Sequence, residues 1–225
     1  MLPLQRTPLQ RTTRKTTRSD HSNLILKKGD LRVSFFLPVS LPPSMQNHVL
    51  IPPAQFALIL DRLAHQLIEH HDFSNTDLVG LQPRGSRLAE RLKERLEELL
   101  PGTEINCGKL DVTFFRDDFR THEKPLSPNE NAMDFTVEQR HVVLVDDVLF
   151  TGRTIRAGLD ALLAHGRPLS VALAVLIDRR FSRELPIEPN YIGKHVDSIG
   201  AQHVRVEWRE EHPADRVILL NSKPA

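Results

Sequence analysis

Apolar residues recur along the chain in two alternating rhythms. After Pro52-Pro53, Phe56, Leu60, Leu63 and Leu67 fall at i, i+4, i+7 and i+11, the spacing of a helix with one buried face, ending near His71. Residues 77–81 predict a first core strand. Helical spacing returns over 84–100, through Leu88, Leu92, Leu96 and Leu99, until Pro101-Gly102 stops it. Residues 105–115 predict the next strand. Residues 116–139 are polar, with Pro125, Pro128 and Asn131 and no sustained period, and a loop of that length inside a compact domain is usually functional. Val142-Val143-Leu144-Val145 is then a continuous apolar run, the mark of a strand buried on both faces. Ile155, Leu159, Leu162 and Leu163 share one face of a following helix, and residues 169–177 form another apolar run. Shorter strand-like pieces close the chain at 204–208 and 217–220.

Strands alternating with helices imply an α/β fold, a twisted, mostly parallel sheet with right-handed crossovers and helices on its flanks. In such sheets ligands sit beyond the carboxyl ends of the strands. Arg84, Asp146, Asp147 and Asp178 all follow predicted strand ends, so the pattern alone gathers them on one rim.

The segment from Val142 to Thr154 carries the most chemistry. Its strand runs into Asp146-Asp147, then Val148-Leu149-Phe150, then a Thr151-Gly152-Arg153-Thr154 turn that opens the helix. Backbone amides and hydroxyls at a helix N-terminus favour an anion. Two carboxylates repel a phosphate but accept hydrogen bonds from vicinal hydroxyls. Hydroxyls beside a phosphate describe a ribose 5-phosphate. Taken singly, Asp146 or Thr151 reads as a turn or cap residue; the conjunction is what points to a site. A strand ending in two acids also resembles the metal-binding strand of P-loop ATPases, but neither G-x-x-x-x-G-K-[ST] nor G-x-G-x-x-G occurs in the chain.

This strand, acid pair and Thr-Gly turn resemble the signature of the type I phosphoribosyltransferases for phosphoribosyl pyrophosphate (PRPP). Further stretches are similar to one subfamily, the PyrR proteins: Leu81-Gln82-Pro83-Arg84-Gly85, residues 109–118, residues 166–179, Arg183-Glu184-Leu185-Pro186-Ile187 and Tyr191-Ile192-Gly193-Lys194. The likeness runs over about residues 50–220 in the same order. It implies the type I phosphoribosyltransferase fold with a small C-terminal hood, and a uracil phosphoribosyltransferase that converts uracil and PRPP to UMP and pyrophosphate in pyrimidine salvage. The alternative it implies is a UMP-sensing, RNA-binding regulator of pyrimidine operons, alone or combined with the enzyme. A purine or orotate phosphoribosyltransferase keeps the signature but differs in the flanking motifs.

By the resemblance, Val148, Leu149, Phe150, Thr151, Gly152, Arg153 and Thr154 wrap the 5-phosphate, and Asp146 and Asp147 bind the ribose hydroxyls. Pro83, Arg84 and Gly85 match a loop that contacts pyrophosphate. Arg116 leads a loop that closes over PRPP; with Asp146 and Asp147 it is a candidate catalytic residue, although an Arg-Asp-Asp run on a loop is ordinarily solvated surface. Asp178, Arg179 and the neighbourhood of Val196 are expected to form the uracil pocket. One residue more than in the similar forms stands between Asp178-Arg179 and Arg183. Mg2+ is expected to arrive on PRPP oxygens with few protein ligands, and no dedicated metal cage is visible, since Glu69-His70-His71 lacks zinc-site spacing.

With 225 residues and 40% hydrophobic content, the chain can build one substantial core. A single cysteine, Cys107, permits no internal disulfide, so a reducing cytoplasm is expected. No stretch approaches the roughly 18 continuous apolar residues of a membrane span. Charge is uneven. Eight of the 30 basic residues but only two of the 29 acidic ones lie in residues 1–44, leaving 22 against 27 in the rest. The tail also repeats itself, as Pro3-Leu4-Gln5-Arg6-Thr7 and Pro8-Leu9-Gln10-Arg11-Thr12, and is expected to be disordered. It reads as a basic arm for RNA, an organellar targeting segment, or sequence upstream of a true start at Met45, the last being favoured because Met45 precedes the family-like part. The phosphoribosyltransferase domain is accordingly expected over 45–225. An acidic core disfavours RNA, whose affinity rests on Lys and Arg: Asp61, Gln82, Pro83 and Glu188 stand where RNA-binding relatives carry donors, while Arg62, His65 and Lys194 remain compatible. A homodimer or larger homo-oligomer is expected, with the helix from Phe56 to Leu67 as a candidate interface.

Overall fold

The computed structural model describes residues 48–117, 132–198 and 202–220. Expectations for the basic tail and for the loop over 118–131 lie outside the described residues. Within them the chain runs β1 (His48–Ile51), α1 (Pro53–His70), β2 (Thr76–Leu81), α2 (Arg84–Leu99), β3 (Cys107–Leu110), β4 (His141–Leu149), α3 (Arg153–Leu163), β5 (Ser170–Arg180), β6 (Tyr191–Asp197), β7 (His203–Glu207) and β8 (Arg216–Leu220). Five strands form one sheet in the order β3-β2-β4-β5-β6, and every neighbouring pair is parallel. A second sheet, β1-β8-β7, is antiparallel.

The central strands explain the continuous apolar runs. Along β4, Val143 and Val145 enter the core shared with α1, α2 and the small sheet, while Val142 and Leu144 enter the core under α3. Ala174 and Leu176 alternate with Leu173 and Val175 on β5 in the same way. A strand with a core on each face has no solvent side, so it loses the polar alternation of a half-exposed strand. Phe56 of α1 meets Trp208, just after β7, edge to face at 5.7 Å, joining the first helix to the small sheet.

Several boundaries differ from expectation, each for a local reason. The strand expected over 105–115 ends at Leu110, because the Asp111 carboxylate accepts hydrogen bonds from the Thr113 amide (3.0 Å) and hydroxyl (2.6 Å) and turns the chain into a short 3-10 helix, Thr113–Phe115. Leu163, expected on the buried face of α3, is 58% exposed at the last helical position. β6 has no regular alternation in sequence. It joins the sheet because Gly193 lets it lie against β5: a Cβ there would stand 2.4 Å from the Leu176 carbonyl oxygen. The hood takes its third strand, β1, from residues before α1.

One polar group holds the entry to the sheet. The Asp77 carboxylate, fully buried on β2, receives two bonds from the Arg140 guanidinium (2.6 and 2.7 Å) and one from the Asn106 amide (2.9 Å). Removing the cation strands a buried charge. Arg140→Ala is therefore expected to lower stability in urea unfolding by about 3–5 kcal/mol, and a loss under 1 kcal/mol, on the scale of an exposed pair, would contradict this account.

Candidate active site

The acid pair sits inside β4 rather than beyond it. Asp146 lies opposite Val175 of β5, and the strand continues to Leu149. β5 likewise extends through Asp178 to Arg180. Both strands therefore continue past the acids, and a cleft of about 650 Å3 opens beside them. It is lined by Pro83 and Arg84 at the start of α2, by Thr113 and Arg116, by every residue from Asp146 to Ile155, and by Arg179, with His203 and Val204 of the small sheet closing one end. A groove of about 740 Å3 between α1 and α2 is larger, but its charged side chains are committed to each other, Arg95 to Asp61 and Glu98, Arg91 to Glu210. It offers no comparable convergence of amides, hydroxyls and carboxylates.

Asp146 and Asp147 are only 7% and 6% exposed. Burial, reinforced by the neighbouring Asp147 charge, raises the Asp146 carboxyl well above the usual carboxylate range, and Arg84 opposes the shift. Burial also raises Asp147, against the pull of Arg84 and the Val148 amide. Asp146 Oδ1 accepts the Asp147 amide at 2.9 Å. Asp147 Oδ2 is buried without a hydrogen-bond partner. An acceptor in that state is costly unless a ligand supplies the donor.

The loop after the acids turns through Gly152, whose φ of 91° is the left-handed conformation that suits glycine. α3 then begins at Arg153, with Thr151 and Thr154 flanking its first turn. Arg116 reaches that turn, its Nη1 lying 3.5 Å from Thr154 Oγ1. Arg153 stands at the rim with its guanidinium engaged by Glu184 (2.6 Å) and Asp117. Phe150 lies beneath the Arg179 guanidinium, 4.0 Å from the ring centre. The peptide bond between Gln82 and Pro83 is cis.

Three expected site residues, Gly85, Asp178 and Val196, do not line this cleft. Gly85 is a packing gap, since a Cβ would lie 2.4 Å from the Val145 carbonyl oxygen and 2.9 Å from Asp146 Cα, and so it lets α2 seat directly on the acid strand. Leu149 borders the cleft, but its side chain is buried in the core under α3. Val196 is buried in the larger core, leaving only its main chain for a ligand. Asp178 turns its carboxylate toward a separate cleft of about 420 Å3, where Arg183 and His195 hold it. Of the expected uracil residues only Arg179 faces the main cleft, and it also borders the smaller one. Arg179 is nearly buried and held by Ser198 Oγ (2.7 Å) and the Gln202 carbonyl (3.0 Å). The sequence reading missed Thr113, hidden in a segment that looked like strand, and His203 and Val204, which no local signal ties to a site 50 residues away in sequence.

Among the described residues no three His, Cys, Asp or Glu side chains converge as a metal site, and no helix is long and apolar enough to cross a membrane. The model of the phosphoribosyl transferase domain matches residues 52–211. The Bifunctional protein PyrR of Geobacter sp. (strain M21) is 41% identical over 174 residues, which is 77% of this chain and 97% of that protein. The protein of the same name from Deinococcus deserti is 44% identical over 161 residues, 71% and 87% of the two chains. Among solved structures, a hypoxanthine phosphoribosyltransferase from Staphylococcus aureus superposes with a TM-score of 0.57 at 21% identity, covering 79% of this chain and 93% of its own. At that identity the likeness bears on the fold. The chain belongs to the phosphoribosyl transferase domain family and, within it, to the PyrR proteins.

Proposed function

We propose that this phosphoribosyltransferase transfers ribose 5-phosphate from PRPP to N1 of uracil, giving UMP and pyrophosphate. The observation that carries the reading is the buried acid pair, with Asp147 Oδ2 lacking a donor, one turn of chain from a Thr-Gly-Arg-Thr helix start in the same cleft. In this reading Asp146 and Asp147 accept the ribose hydroxyls, the amides from Val148 to Thr154 with the Thr151 and Thr154 hydroxyls hold the 5-phosphate, and Pro83-Arg84 borders the pyrophosphate. The C1 to oxygen bond breaks with its electron pair leaving on pyrophosphate, the N1 to C1 bond forms, and the N1 proton is released.

Magnesium enters as part of the substrate, on the oxygens of PRPP. Positive charge grows on the ribose in the transition state, where buried carboxylates a short distance away stabilise it more than they stabilise neutral sugar. Arg84 and Arg116 flank the departing anion. The base sits at the end of the cleft lined by Arg179, His203 and Val204. A domain over 45–225, a cytoplasmic setting and assembly into a homo-oligomer through the α1 face, where Leu58 is exposed, belong to the same reading.

The decisive assay is UMP formation from uracil, PRPP and Mg2+ by the full chain, with hypoxanthine, guanine and orotate in parallel. Turnover confined to uracil is expected, and a preference for any other base would overturn the assignment.

The acid pair yields a second expectation. The folded carboxyls bind protons more tightly than in the unfolded chain, so the stability they contribute is highest in acid and falls as pH rises through the window between the ordinary carboxylate value and the raised one. Above that window the cost of the buried charge is fully present. Asp146→Asn and Asp147→Asn should each raise the melting temperature at pH 7 while lowering turnover about a hundredfold or more. Wild-type rates in both variants would remove the acids from the mechanism.

One observation favours a second activity: relatives that align along nearly their whole length are named bifunctional. In the extended reading the protein also senses UMP and binds pyrimidine-operon RNA. Two cations named above are tied to the main chain here, Lys194 Nζ of β6 to the Leu50 carbonyl (2.9 Å) and Arg62 of α1 to the β6 carbonyls of Ile192 (3.2 Å) and Gly193. Leader RNA binding that tightens with UMP and weakens with salt is expected, and binding indifferent to UMP would count against regulation.

A further inference from the structure

Outside the catalytic cleft, one side chain is tied to both the loop after the acids and the neighbouring strand. Arg183 donates through Nη2 to Asp178 Oδ1 (2.5 Å) and through Nη1 to the main-chain carbonyl of Phe150 (2.5 Å). Asp178 is itself fixed on β5, its side chain 8% exposed and its other oxygen 3.1 Å from His195 Nδ1 on β6. The two residues after Arg183 continue the grip, since the amides of Glu184 and Leu185 both donate to the Thr151 carbonyl, at 3.0 and 3.1 Å. Leu185 and Ile187 pack over Gly152, where an added Cβ would stand 3.4 Å from each.

We propose that Arg183, anchored by Asp178, is the positioning residue that shapes the phosphate loop. The carbonyls of Phe150 and Thr151 are both held by the segment from Arg183 to Leu185. In a trans peptide the N–H points opposite to the C=O, and among the described residues the only cis bond is Gln82–Pro83. Holding those two carbonyls therefore turns the amides of Thr151 and Gly152 the other way, toward the catalytic cleft, as fixed donors for a phosphate. Pre-aimed donors bind an anion without the cost of reorganising at the moment of binding. Arg183 acts through the loop and does not touch the reacting atoms. The inference rests on the phosphate-binding role proposed above for this loop.

The test measures PRPP and uracil kinetics, and separately ribose 5-phosphate binding by calorimetry, for the wild type, Arg183→Ala and Arg183→Lys, with melting temperatures to confirm folding. Arg183→Ala should raise KM for PRPP and Kd for ribose 5-phosphate about tenfold, the scale of one lost charge-assisted hydrogen bond, with kcat and the uracil KM within about threefold. Millimolar methylguanidinium should recover much of the loss, which a general packing defect would not allow. Lysine, whose donors all sit on one nitrogen and cannot reproduce the fork from Nη1 and Nη2 to the two acceptors, should recover only part of it, and serves as the folded variant if alanine does not fold. Unchanged phosphate affinity in folded variants, or equal losses for PRPP and uracil without chemical rescue, would overturn the positioning role and leave the enzyme assignment standing. Ribose 5-phosphate binding that weakens in the variants of a chain inactive with every base would sustain the role and remove the assignment. A wild type binding neither PRPP nor ribose 5-phosphate would remove both.

Discussion

The structure depends on one strand being buried on both faces while carrying charge at one end. β4 has a hydrophobic core above and below it, and that double burial fixes its place at the centre of the parallel sheet. The same burial reaches Asp146 and Asp147. Burial raises the proton affinity of both carboxyls, and the Asp147 charge raises that of Asp146 further, so the pair weakens the fold once it is ionised. The surroundings answer only in part: Arg84 faces them from the start of α2, and one oxygen of Asp147 is left without a donor. A ligand presenting hydroxyls and carrying developing positive charge relieves what the protein leaves unsatisfied.

Each neighbouring element serves that arrangement through a specific contact. Gly85 lets the first turn of α2 press onto Val145 and Asp146, which brings Arg84 to the acids. Gly152 lets the chain reverse between the acids and α3, so the helix start faces the same cleft. The small sheet contributes His203 and Val204 to one end, and it is tied to the main body by Trp208 against Phe56. The acceptors and anion donors from residues 146–154, the cation Arg84 from the start of α2 and a closing wall from the small sheet thus come from three separate parts of the chain. The large groove between α1 and α2 shows the contrast, because its arginines and carboxylates pair with one another and leave little for a small anionic ligand.

Much of this was legible in the sequence, and the reason is that the relevant signals are local. The run Val142 to Val145 followed by two acids and Thr-Gly-Arg-Thr states its burial and its polarity in adjacent residues. Helix spacing through Phe56 and Leu67, and through Leu88 and Leu96, located α1 and α2 within a residue or two. Elements whose stability comes from distant partners were not legible. β1 is four residues long and exists because β8 pairs with it; β6 lacks an alternating pattern and is held by β5. The strand expected to reach Phe115 stops early because a single Asp111 side chain outcompetes the ladder.

The alternation of strand and helix, the central strand, the acid pair and the anion-favouring helix start were all readable along the chain, since each depends on residues within a few positions of one another. Which side chains share a cleft was set by the packing of distant segments. That packing turned Asp178 away to Arg183 and His195, buried Val196 in the core, made Gly85 a packing gap, and brought His203 and Val204 beside Arg179. Those outcomes follow from strand pairing and from which face of a strand meets which core, quantities set by contacts between residues far apart in the chain.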